Sequence, residues 1–210
     1  MVKQARAART REALICAAAE VFADDGYTLA SLPAISKRAG VSKGALHFHF
    51  TNKDALAAQV ESEAAGRVAD LVERARATAG ATLQSLVDAC SGLLVALADD
   101  PVVRAGFRLN ADPSRKNGSE LLLWWHERVR ELVAEAQEAG EIERGVSAEA
   151  VSTLVVTATV GLGALGEADR GRLSPERVAV LWSFLAPRPA TSPSRAPVPK
   201  AAYPEGCPVQ

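Results

Sequence analysis

Apolar residues return at every third or fourth position through successive stretches of the chain, which predicts helices. Leu14, Ile15, Ala18, Val21 and Phe22 make the first such stripe, and Asp25-Gly26 closes it. Leu32, Ile35 and Ala39 make a second, shorter one. Pro33 fits its first turn, where a missing N–H loses no bond, and Gly40 ends it in the left-handed conformation that costs glycine nothing. Val41 then pins a tight turn, Ser42 is placed to cap, and residues 43–50 form a third helix, apolar at Leu46 and Phe50. A helix, a short glycine turn and another helix is the helix-turn-helix pattern. The start of its second helix, where base edges would be approached, is small and polar.

The pattern continues downstream. Thr51-Asn52-Lys53-Asp54 is a capped helix start, and the helix runs to about Thr78. Residues 81–99 are apolar on more than one face, which predicts a central helix, and Pro101 opens a shorter one carrying Val102, Val103, Phe107 and Leu109. Ala111 to Gly118 is a polar loop. Helices follow from Leu121 to Ala139, from Ser147 to about Leu165, and from Ser174-Pro175-Glu176 to about Phe184. Seven of the eleven prolines crowd into 187–210, which predicts a disordered tail. The expected organisation is all-α: three helices in a head over 1–52, six in a body over 53–186, and the tail over 187–210.

Charge sharpens this division. Residues 1–60 carry eight Lys/Arg against five Asp/Glu, a net +3, whereas residues 61–210 carry sixteen against twenty, a net −4. A basic head on an acidic body suits a DNA reader with a separate regulatory part. Lys3, Arg6, Arg9 and Arg11 are either a solvated terminus or an arm that meets phosphate. Cys16, Cys90 and Cys207 offer neither a disulfide framework nor metal spacing, so a reducing cytoplasm is expected. No signal core is visible and no run reaches the ~18 apolar residues of a spanning helix, so no membrane partner is expected.

Two patterns could mislead. Residues 161–166, GLGALG, satisfy G-x-G-x-x-G, but the dinucleotide site needs a strand before it and an acid about 20 residues on, and residues 180–186 supply none. Small residues there suit close approach of another helix instead. His47 and His49, two apart on a helix, point to nearly opposite faces and cannot share a metal ion. No nucleophile elbow, HExxH or P-loop is present, so neither an enzyme nor a cofactor is expected.

The segment from Ala13 to Leu56 resembles the N-terminal domain of the TetR family of one-component repressors. The resemblance rests on the first helix ending in Phe22 and Gly26-Tyr27, on Ile35, Ala39, Gly40 and Val41, and on GALHFHF over 44–50 followed by Lys53 and Leu56. Asp100 to Leu109 (DPVVRAGFRL) and then Trp125 are similar to the γ-butyrolactone autoregulator receptors of antibiotic-producing actinomycetes, where GALYFHF is common. The resemblance implies a TetR-like fold and a homodimer on a near-palindromic operator. Lys43, Gly44, Ala45 and His47 would meet DNA, with Ser31 and Ser42 beside them and Lys53 on phosphate. His47 stands where the family usually has a phosphate-binding tyrosine. It further implies release by a small signal of the γ-butyrolactone, butenolide or furan type, in control of antibiotic biosynthesis. The alternatives are another inducer, such as an antibiotic or efflux substrate, or no ligand response. Trp125 would pack on the ligand, unless it is a core tryptophan. Thr153 and Thr157 share a helical face, and the Thr157 hydroxyl would bond either the ligand or the backbone one turn back. Gln84, Ser85, Asp88 and Phe107 complete the expected lining.

Overall fold

A computed structural model describes residues 2–115 and 120–168, and every regular element among them is a helix. The head holds α1 (Val2–Leu29), α2 (Leu32–Arg38) and α3 (Lys43–His49). Gly26, at φ 75° and ψ 175°, interrupts α1 and leaves Tyr27 to Leu29 as a separate last turn, so the stop expected at Asp25-Gly26 is a kink. Ser31 caps α2 by accepting from the Ala34 N–H at 3.3 Å, and Ser42 caps α3 by accepting from the Ala45 N–H at 3.2 Å. Between them Gly40 turns the chain at φ 66°. Leu14, Phe22, Ile35 and Leu46 are sealed from solvent and hold the three helices together. Truncating such a leucine to alanine costs about 2–5 kcal/mol, so this small core sets the attitude of α3.

The body is built on α4 (Lys53–Thr78), α5 (Thr82–Asp99), α6 (Pro101–Ala111), α7 (Glu120–Glu138) and α8 (Ala148–Ala168). Asn52 caps α4, whose Leu56, Val60, Ala64 and Val68 line one buried face. Helix α6 lies against α1 and α4, and α5 packs on α4, α6, α7 and α8. Contrary to the sequence expectation, α5 is long and apolar enough to cross a membrane by length and composition. One face of it is covered here, with Leu86, Ala89, Cys90, Leu93 and Leu94 buried between those neighbours, while Val95 on the other side is exposed. Its first turn has no side-chain cap of its own. The Glu141 carboxylate, from the connection between α7 and α8, accepts from the Thr82 and Leu83 N–H groups at 3.2 and 2.6 Å.

Residues 161–166 lie inside α8, with no strand before them, which excludes the dinucleotide site. The helix expected from Ser174 to Phe184 and the tail over 187–210 lie outside the described residues, as do residues 116–119 of the polar loop.

Candidate nucleic-acid interface

Helix α3 presents Lys43, Gly44, His47 and Phe48 to solvent, holds Ala45 and His49 half-buried, and turns Leu46 into the core. Ser31 and Ser42 are exposed as well, each with its oxygen engaged by a cap, so each keeps a hydroxyl proton to donate outward. Among the described residues a Cβ built at Gly44 meets nothing closer than Ser42 Oγ at 4.0 Å, so they give no packing reason for glycine there. Phe48, 80% exposed, was not among the residues expected to meet DNA. The signal was present: four positions after Gly44 and three after Ala45, it shares their face. An apolar ring so placed suits a thymine methyl.

Lys53 is held within its own chain. Its ammonium donates to the Tyr27 carbonyl at 2.8 Å and the Ala30 carbonyl at 3.1 Å, and lies 4.2 Å from the centre of the Tyr27 ring. Lys53 thereby ties the start of α4 to the last turn of α1. On the body side, Arg115 stands 5.2 Å from the same ring and pairs with Glu61 at 2.7 Å. Glu61 also accepts from Asn110 Nδ2 at 3.0 Å. The Tyr27 hydroxyl donates to Asp54 at 2.6 Å; burial, and then that carboxylate, push its pKa up to about 12. Head and body therefore share a polar joint beside the apolar packing of α1 on α4 and α6. Beside it runs an open groove of about 960 Å³ whose walls include Tyr27, Asp54, Glu61, Arg115 and Trp124.

The residues expected to line a ligand site do not all converge. Trp125 is fully enclosed on α7, its indole N–H buried without an acceptor among the described residues, and Phe107 is buried on α6. Gln84 is exposed on α5 and donates to half-buried Asp88 at 2.7 Å, while Ser85 is buried and bonds the Ala81 carbonyl. Thr153 and Thr157 face outward, because α8 turns Ser152, Val155, Val156 and Thr159 to the interior. The backbone bond considered for Thr157 belongs to Thr159, whose hydroxyl donates to the Val155 carbonyl at 2.7 Å. Thr153 Oγ1 lies 3.2 Å from His126 Nε2. Among the described residues, no group of three or more His, Cys, Asp or Glu side chains is placed to hold a metal ion.

Comparison with known proteins matches residues 14–60 to the family model described as bacterial regulatory proteins, tetR family. The chain is 34% identical over 188 residues to the A-factor receptor protein of Streptomyces griseus, a match covering 89% of this chain and 66% of that protein's length. A crystal structure of a γ-butyrolactone receptor described as ArpA-like superposes with a TM-score of 0.74 at 28% identity, over 86% of this chain and 87% of that one. TylP, a TetR regulator from Streptomyces fradiae, does so with a TM-score of 0.66 at 31% identity, over 84% of each chain. The likeness thus extends from the helix-turn-helix through the body: the chain belongs to the TetR family of bacterial transcriptional regulators.

Proposed function

We propose that the protein is a repressor that binds a near-palindromic operator as a homodimer in the cytoplasm and lets go when a small γ-butyrolactone-like signal enters its body. Control of antibiotic biosynthesis belongs to the same reading. The exposed face of α3 supplies the DNA contacts, through Lys43, Gly44, Ala45, His47 and Phe48, with Ser31 and Ser42 at the flanks. On α8, the outward face of Thr153, Leu154, Thr157 and Gly161 is the surface for a second copy. A ligand acceptor at Trp125 carries the ligand half of the reading, because a buried indole N–H with no partner among the described residues costs free energy that a lactone or hydroxyl oxygen would recover.

The test must respect the burial of Trp125. Replacing so enclosed a ring by alanine costs about 3–5 kcal/mol of stability, which would mask any ligand effect. Trp125→Phe keeps most of the ring and removes only the donor. We expect it to bind operator as the wild type does, and to need about tenfold more γ-butyrolactone for release, the worth of one net hydrogen bond. Release at the wild-type concentration would remove Trp125 from the ligand site.

A second reading has one observation in its favour. Trp124 borders the open groove at the joint between head and body, where a larger inducer of another class can lodge. Trp124→Ala would then change the response while Trp125→Phe left it intact.

A further inference from the structure

Helix α6 has eleven residues, and its polar side chains hold the ends of three other helices. Arg104 Nη1 donates to the Leu97 and Ala98 carbonyls at the end of α5, at 3.1 and 2.7 Å. Asn110 Oδ1 accepts from the Leu121 and Leu122 N–H groups at the start of α7, at 2.9 and 3.3 Å. Arg108 turns to the head. Its Nη1 donates to the Ala23 carbonyl at 2.5 Å and the Asp24 carbonyl at 3.3 Å, just before the kink in α1. The last carbonyls of a helix lack donors within it and form its negative end, so a guanidinium is well matched to them.

The seat for this guanidinium is shaped by Gly26. A Cβ at that position would stand 3.3 Å from Arg108 Nη2 and 3.5 Å from Nε, so the glycine provides the left-handed φ and also room for the cation to lie close. Past the kink, the chain that leads into the Ser31 cap is gripped by Lys53 at Tyr27 and Ala30. Helix α6 also packs along α1, and Arg108 on Gly26 is the point where a polar side chain of α6 reaches the kink that leads into α2 and α3. On its own helix Arg108 lies between Phe107 and Leu109, both buried in the body.

We propose that Arg108 is a positioning residue for the DNA-reading head: seated on the Gly26 kink, it fixes where α2 and α3 stand relative to α6. It touches neither operator nor ligand. The inference rests on the repressor reading for its DNA readout alone.

The test pairs two arginines one turn apart. Arg108→Ala and Arg104→Ala are compared in the full chain by hydrogen exchange and by affinity for a duplex selected from random sequence with the wild-type protein. Loss of one charge-assisted contact to backbone carbonyls predicts that Arg108→Ala weakens duplex binding about tenfold. Exchange should speed up at Tyr27 to Ala30 and stay at the wild-type rate in α5 and α7. Arg104→Ala should keep duplex affinity within about twofold, since it holds a helix end remote from the head. Wild-type affinity in Arg108→Ala, unchanged exchange at 27–30, or an equal loss of affinity in Arg104→Ala would each overturn the assignment. Should Arg108→Ala not fold, Arg108→Lys keeps the stem and charge without the fork, and the same two readings decide. Should the wild type select no duplex, the repressor reading falls, and exchange at 27–30 still decides whether Arg108 holds the kink.

Discussion

His47 is the residue at which this chain departs from the tyrosine usual in its family, and the consequence is chemical. Its side chain is exposed on α3, three positions after Gly44. A phenol and an imidazole each offer a donor to phosphate, but at a different reach from the helix. His47→Tyr should therefore bind operator at least as tightly as the wild type. Binding isotherms for both proteins at constant ionic strength check this, since phosphate contacts are screened by salt. Markedly weaker binding by the variant would place His47 away from phosphate. Lys53 carries the opposite lesson at this scale. Its position after GALHFHF suggested phosphate, yet two carbonyls of the same chain, more than twenty residues back, hold its ammonium. The bare sequence held no sign of those acceptors.

At the scale of elements, α3 makes the sharpest separation between folding and function. Space around Gly44 is open within the chain, and its helical backbone asks for no glycine. Gly44→Leu should therefore fold with a melting temperature close to the wild type. A branched side chain there would nevertheless hold α3 out of the major groove, so operator binding should be lost. Full operator binding by this variant would mean another face reads the DNA. The head was legible in the sequence because its determinants are local: Ser31 and Ser42 cap amides three residues on, and Gly40 turns the chain where it stands. The body was legible as helices but not as a site. Glu141 caps a helix nearly sixty residues away, and Arg108 reaches back to α1. Spacings of four placed Thr153 and Thr157 on one face correctly, but periodicity does not say which face turns inward. That choice is made by Val155 and Val156, which the neighbouring helices bury.

For the whole molecule, the enclosure of Trp125 constrains how a signal can act. With no solvent-accessible surface on its ring, a ligand that reaches the indole must part the helices around it. On the proposed reading the described form would be the closed one, and the signal would draw on a minor open form. A ligand shifts this balance only by binding the open form better, and its apparent affinity is reduced by the fraction of molecules open beforehand. Raising that fraction should sensitise the switch without touching ligand or operator. Val129, one turn after Trp125 on the same face of α7 and fully buried, is the place to do so. Val129→Ala removes packing at a cost of about 1–2 kcal/mol. If the open form packs this position loosely, most of that cost falls on the closed form. The open fraction would then rise about tenfold and the γ-butyrolactone concentration for half-release would fall by a similar factor. Operator affinity without the signal should fall only by the fraction that opens, so it stays close to the wild type while the open form is minor. Titrating release of labelled operator duplex, alongside thermal melting, checks both consequences together. A Val129→Ala protein that is destabilised yet released at the wild-type concentration would show that the body need not open at Trp125, and that the signal binds elsewhere.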